Sequence, residues 1–395
     1  MVPKPRVLVL TCHLPYPPIS GGRRRELELF RRVADYCELH LCAISKTPAE
    51  DAANASQLEQ VFESIHVFAA DGDGAAGACS QLARHGCPQA GAYVANATAS
   101  GAFDVLHVEG FYLMQHIGVT AVPLVLVEQN VEFELWRQRA ETASSELERR
   151  RMLRQYQVAR RAEVEAWAAA SLCAAITPED AALMETTLPG LRVALAPDGV
   201  DHLCPPAKDR EPVAPYEIVF VGNFAYAPNV DAAQHLVGEI LPRIAERVPD
   251  VHLTLVGNEP PDDLRDGPGC SVTGRVPDVR PYLDRAAVVA CPLRVGGGIK
   301  VKVLEALRHG KATVTTSVGA QGLRAGAGTA FVVADHANEF ATEVVRLLED
   351  PTRRRRLERA AANFAETLPT WDDGAEALMR CYDACRTAAV SMPAK

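Results

Sequence analysis

Residues 289–322 read VACPLRVGGGIKVKVLEALRHGKATVTTSVGAQG, and the groups able to do chemistry crowd into the first half of that stretch. Arg294, Lys300 and Lys302 supply three cations, while Gly296, Gly297 and Gly298 let the backbone pass close to a ligand. Glu305 follows Lys302 by three residues, which puts both on much the same face of a helix opening near Lys300. Cations beside the free amides of a helix start suit phosphate, and a neighbouring carboxylate can grip two hydroxyls. That combination is the chemistry of a nucleotide site. A solvated glycine loop ahead of a basic helix face is the plainer account of the same residues.

A second set sits at strand ends. Glu109 follows the apolar run 105–108, and Glu128 and Asn130 follow the run 124–127. Polar side chains at the carboxyl ends of parallel strands face the ligand crevice, so these three are substrate-contact candidates; helix capping explains some of them equally well. Gly21 and Gly22 come after the strand-like run 6–11 and a proline-rich turn, just ahead of a helical pattern over 24–36. They offer amides to a phosphate or room to a substrate, and a tight turn accounts for them as well.

The elements that must carry these groups recur in a regular order. Runs at 6–11, 39–44, 65–68, 105–108, 124–127 and 172–177 are short and apolar, with helical or loop segments between them. Such alternation predicts a parallel, doubly wound sheet. Leu27, Phe30, Val33 and Ala34 make the apolar stripe of the first helix. A long charged helix over 144–169 has a rough stripe of Leu147, Leu153, Tyr156, Val164 and Trp167. Its arginines interleave with glutamates, which describes a solvated face rather than a nucleic-acid surface. Thr177-Pro178-Glu179-Asp180 is a helix start, with a threonine cap, proline at the first helical position and acids in the first turn. The Gly/Ala-rich piece 71–77 is the least regular.

Proline-rich residues 189–215 mark a domain boundary, and a second βα series follows. Strands are expected at 217–221, 251–256, 271–273, 288–291, 312–315 and 330–333, and helices at 230–247, 279–285 and 337–348. Strand after strand ends in glycine, among them Gly222 before Asn223, Gly257 and Gly274. A last helix over 372–386 carries Leu378, Tyr382 and Cys385 on one side. The sum is two Rossmann-like halves in series with a crevice between them.

Composition bounds this reading. A chain of 395 residues, 48% hydrophobic and 23% charged, has room for two globular domains. A net charge of −9 argues against non-specific nucleic-acid binding. No run approaches the roughly 18 apolar residues of a transmembrane helix, and the first apolar run is too short for a secretory signal. Eleven cysteines include no C-x-x-C pair, and Cys42, Cys173 and Cys291 fall inside apolar runs. The expectation is a reduced, cytoplasmic protein without a metal cluster.

The stretch PLRVGGGIKVKVLEALRHGKATVTTSVGAQGL resembles the donor-site segment of the family-4 glycosyltransferases, closest to bacterial sugar transferases whose loop reads P-x-R-x-G-x-G-x-x-x-K-x-x-E-A. LPYPPISGG, Glu128-Gln129-Asn130, Asp198-Gly199-Val200-Asp201, Val221-Gly222-Asn223 and Gly274-Arg275-Val276 match in the same order. The resemblance implies a GT-B fold: an acceptor-binding Rossmann-like domain (1–190), a nucleotide-sugar-binding one (191–370) and a C-terminal helix (371–395) crossing back to the first. It implies retaining, metal-independent transfer of a hexose-type sugar from a nucleoside-diphosphate sugar to an acceptor hydroxyl in carbohydrate biosynthesis, with no cofactor and at most peripheral membrane contact. Carried over by position, Glu305 holds the ribose hydroxyls. Arg294, Lys302 and Lys300 meet the diphosphate with the amides of Gly297 and Gly298. Gly274 and Val276 border the base, and Gly21 and Gly22 the donor phosphates or the acceptor. The chain departs from the family twice. Gly297 stands where an E-x7-E motif has its first glutamate, and Asn223, kept among the substrate-binding positions, begins NFAY where many members have a basic pair.

Two rivals stay open on sequence alone. One is a GT-B nucleotide-sugar epimerase, which changes the sugar without an acceptor. The other is a non-catalytic nucleotide-sugar-binding paralogue, consistent with Gly297. An NAD(P) dehydrogenase is disfavoured, because the first turn lacks G-x-G-x-x-G.

Overall fold

The structure, a computed structural model, describes residues 3–71, 80–203 and 212–390, so most of the Gly/Ala-rich piece 71–77 and part of the boundary stretch lie outside the described residues. The chain forms two compact units, one of residues 1–199 with 369–395 and the other of residues 200–368.

The first unit is built on seven parallel strands: β1 Arg6–Thr11, β2 Glu38–Ser45, β3 Ser64–Ala69, β4 Val105–Glu109, β5 Leu124–Glu128, β6 Leu172–Ala175 and β7 Val193–Leu195. Their order across the sheet is β3-β2-β1-β4-β5-β6-β7. The central strands are apolar on both faces because helices cover both, so β4, β5 and β6 are buried along their whole length. The last strand, expected at 192–195 inside the boundary stretch, is the edge of this sheet and pairs with β6.

The first helix is Gly21–Val33 and starts three residues earlier than its apolar pattern suggests. Ser20 is the reason: its hydroxyl accepts from Arg23 N–H and caps the helix, so Gly21 and Gly22 are its first turn rather than a turn ahead of it. Leu27, Phe30 and Val33 are buried as expected. The helix Trp371–Val390 returns to this unit and packs on Gly21–Val33 through Trp371, Leu378, Tyr382 and Cys385, all buried. The stripe expected on the long charged helix holds only in part. The helix Glu146–Ala169 buries Ala159, Glu163, Ala166 and Trp167, whereas Leu147 is 77% exposed. Glu163 is drawn inward because its carboxylate accepts from the amides of Glu132 and Phe133, both at 2.7 Å, and so caps the helix Glu132–Glu141.

The second unit has six parallel strands: β8 Glu217–Val221, β9 His252–Val256, β10 Cys270–Val272, β11 Val288–Cys291, β12 Thr313–Thr315 and β13 Val332–Val333. They run in the order β10-β9-β8-β11-β12-β13. One helix was expected over 230–247. The structure has Ala227–His235, a wider π turn at Leu236–Ile240, and Leu241–Ala245. Pro242 lacks an amide and crowds the carbonyl of the preceding turn, and a wider turn relieves that. No described helix is long and apolar enough to cross a membrane.

Candidate functional site

In each sheet the strand order reverses direction at one place, and there the loops at the carboxyl ends of two neighbouring strands part to leave a crevice. In the second unit that place lies between β8 and β11. The chain leaves β11 through residues 292–300 and enters the helix Val301–Arg308, with Lys300 at its cap position and no side chain capping its first amides. From β8 it passes Gly222 and Asn223 into the helix Ala227–His235, which carries Asn229 and Asp231.

Three expected cations have three different settings here. The Lys300 ammonium donates to the carbonyls of Gly297 at 3.0 Å and Gly298 at 2.6 Å, closing the glycine loop from within. That close fit needs glycine: a Cβ on Gly296 would lie 2.8 Å from Lys300 Cε, and Gly298 has φ +59°. Arg294 is held by Asp231, its Nε donating at 3.0 Å and its Nη2 at 2.5 Å. Lys302 donates to a neutral group, Asn229 Oδ1, at 2.6 Å and lies 5.8 Å from the centre of the Phe220 ring. Among the described residues no carboxylate pairs with it. Burial lowers its pKa, against the opposing pull of Cys291 and Glu305. Burial raises the Glu305 carboxyl, with Lys302 opposing, and among the described residues no donor reaches that carboxylate.

Asn223 is exposed, and its carbonyl accepts from Asn229 Nδ2 at 2.7 Å, so this loop orients the amide that Lys302 meets. Gly274 has φ +68°, and its carbonyl accepts from Gly257 N–H at 3.3 Å. Val276 is half-buried against the core. Asn229, Asp231 and Phe220 escaped the sequence reading, because a helix and a strand far back in the chain bring them to this loop.

In the first unit the reversal falls between β1 and β4. Glu109, at the end of β4, accepts from His107 Nε2 at 2.9 Å and Gln129 Nε2 at 3.1 Å. The other nitrogen of His107 lies 2.8 Å from the Tyr382 hydroxyl, so the returning helix orients this carboxylate. Burial would raise Glu109, but the bond and charge of His107 outweigh it and hold the carboxyl below its ordinary value. Glu128 accepts from Trp167 Nε1 at 3.0 Å and Phe111 N–H at 3.4 Å, and burial pushes it up to about 8. Asn130 bonds the side chain of Glu132. Gly22 lies against Gln129, whose Oε1 is 2.7 Å from where a Cβ would stand. Cys12, His13 and Glu26 join this group and were not singled out by sequence, since Glu26 reads as one more charge in a basic helix. His107 was visible only as part of a strand.

Residues 215–350, most of the second unit, match the family model described as "Glycosyl transferases group 1". A protein of Klebsiella pneumoniae described as an uncharacterized 44.6 kDa protein in the cps region is 23% identical over 160 residues, 38% of this chain; the match spans only 41% of that relative. Among solved structures, sucrose-phosphate synthase from Thermosynechococcus elongatus has a TM-score of 0.69 at 15% identity, with 98% of this chain and 100% of that one covered. Anabaena HepE, in complex with UDP-glucose, has a TM-score of 0.64 at 14% identity, with 95% and 99% covered. The chain therefore has the fold of the GT-B glycosyltransferases, and its second unit, through residues 215–350, matches the glycosyl transferases group 1 family.

Proposed function

We propose that the protein moves a sugar from a nucleoside-diphosphate sugar to an acceptor hydroxyl, with retention at the anomeric carbon. The observation that carries this reading is Lys302: a half-buried cation with a neutral partner, beside the start of Val301–Arg308, at the strand-order reversal of the domain that matches the family. A diphosphate in that place meets a preformed positive field, and Glu305, with no donor of its own, takes the ribose hydroxyls.

The bond from anomeric carbon to phosphate oxygen breaks, the acceptor oxygen bonds to that carbon from the same face, and the departing phosphate takes the hydroxyl proton. Negative charge grows on the leaving group, where Lys302 acts without having to rearrange. Lysine and arginine supply the countercharge, so transfer proceeds in the presence of a chelator. The first unit holds the acceptor, with Glu109 and Gln129 as polar contacts; a glycan, a lipid-linked glycan and a small natural product share the hydroxyl this chemistry needs. Anabaena HepE binds UDP and UDP-glucose, which makes the uridine nucleotide the first to test.

A thermal-shift panel of uridine, guanosine, thymidine and adenosine diphosphates, with EDTA present, tests the reading. A ligand that binds only the folded chain adds about 2.7 kcal/mol at one hundred times its Kd. One nucleotide is expected to raise Tm in the wild type and not in Lys302→Ala. No shift with any of the four overturns the assignment.

A further inference from the structure

Cys12 is the first residue beyond β1, and among the described cysteines it is the one that is not buried. Its surroundings are those of a reacting thiol. His13 Nδ1 lies 3.2 Å from its Sγ, and His13 Nε2 lies 3.0 Å from Oε1 of the wholly buried Glu26. The Tyr112 hydroxyl donates to the sulfur at 3.3 Å, and the His85 ring stacks on Tyr112 with centroids 4.4 Å apart. A carboxylate behind an imidazole, and an imidazole against a sulfur, is an arrangement that activates a nucleophile.

The charges agree with the geometry. Burial opposes a thiolate at Cys12, yet His13 and His85 outweigh it and bring the thiol well below its ordinary value. Burial likewise opposes a charged His13, but Glu26 and Cys12 hold it well above the usual imidazole value. Lys46 also interacts favourably with the sulfur. The contrast within the chain is wide, because burial, helped by Cys87, pushes Cys42 up to about 12, and burial, helped by Glu305 and only partly opposed by Lys302, does the same to Cys291. One further atom points to a ligand. Oε2 of Glu26 is buried and has no donor among the described residues, a state usually relieved by an incoming N–H or O–H.

We propose that Cys12 is a nucleophilic thiolate and a site of S-thiolation by small amino-bearing disulfides, with His13 and Glu26 as positioning residues. The thiolate attacks one sulfur of the disulfide, whose S–S bond breaks as the Cys12 mixed disulfide forms. The other half leaves as a thiolate and takes its proton from solvent. The disulfide is the oxidant and nothing else is consumed. An amine on the adduct would give the open Glu26 oxygen the donor it lacks. The inference rests on the first unit alone, and labelling needs no turnover, so its failure leaves the transferase reading standing.

The test treats the full chain with cystamine between pH 5.5 and 9 and maps the product by peptide mass. One adduct is expected, on Cys12, reversed by dithiothreitol and absent from Cys12→Ser. Its rate should level off at lower pH than that of an ordinary thiol, which gains reactivity through about pH 8.5. Burial pushes Glu26 up to about 7, with Glu109 also facing it, so Glu26→Gln should shift that plateau upward and slow labelling around pH 7, where the wild-type carboxylate is charged. The slowing is about threefold per unit of thiol pKa, because lost thiolate is partly offset by greater nucleophilicity. If Glu26 served packing alone, its variant would lower stability and leave the profile unmoved. Adducts at Cys79 or Cys204 instead, or a wild-type rate still climbing at pH 9, overturn the proposal.

Discussion

The two strand-order reversals have the same backbone plan and opposite chemistry. At the one between β8 and β11, Lys302 has a neutral partner and Glu305 has none, so charge is left for a ligand to satisfy. At the one between β1 and β4, the polar groups largely answer one another: Glu109 has His107 and Gln129, His107 has Tyr382, and Glu128 has Trp167 and Phe111. A Rossmann-like sheet thus fixes where a ligand can sit and leaves to the loops what it can be. The open site suits a polyanion. The self-satisfied one suits a neutral hydroxyl compound, with the Cys12 corner as its reactive exception.

Four substitutions would break or sharpen this contrast. The largest effect is expected from Lys302→Ala, which removes the cation proposed to face the leaving group; kcat/KM should fall by about 10²–10³. Circular dichroism and Tm should stay near wild type, because a half-buried lysine with a lowered pKa does not support the fold. A large loss of stability in this variant would mean that the open charge is structural after all.

Next comes Glu128. Its carboxyl releases a proton near 4.5 when unfolded and near 8 when folded. The stability it gives is therefore whole below about pH 4.5 and drains away as the pH rises through 8, by an amount on the order of a few kcal/mol. In urea titrations Glu128→Gln should flatten the wild-type decline between pH 5 and 8 while nucleotide affinity stays constant. An unchanged slope would place Glu128 in water rather than against Trp167.

Tyr382→Phe deletes the hydroxyl that orients His107. It should cost about 0.5–1.5 kcal/mol in chemical denaturation and lower acceptor-dependent turnover without altering nucleotide binding. The smallest effect belongs to Gly22→Ala. The added methyl meets only the end of the Gln129 side chain, which can rotate, so the stability change should stay below about 1 kcal/mol. A larger loss would show that Gln129 is fixed in place by Glu26 and Glu109.

Elements and sites were not equally legible. Periodicity sufficed for the strands, the stripe of Leu27, Phe30 and Val33, the Thr177 cap and the apolar face of the last helix, because each is a local pattern of burial. The loop from Arg294 to Glu305 was legible too, since its glycines and cations are neighbours in the chain. Local signals failed where a partner decides the outcome. Ser20 moved a helix start, Pro242 widened a turn, and Glu163 went inward to cap another helix. Lys300 folded under its own loop instead of pointing outward, and Arg294 is held by Asp231 from 63 residues away, neither of which spacing can reveal. The Cys12–His13–Glu26 group needs a strand end and a helix face to meet, so sequence shows only its first two members.

The returning helix has a consequence for synthesis. Trp371, Leu378 and Tyr382 complete a core whose other walls are β1 and the helix Gly21–Val33, while residues 200–368 contain all the strands of their own sheet. On the ribosome the lobe translated second can therefore settle before the lobe translated first, which waits with an apolar flank uncovered until its closing segment emerges. Chaperone demand should peak in that interval, and a chain stopped at residue 368 should keep a folded second unit and an unfinished first.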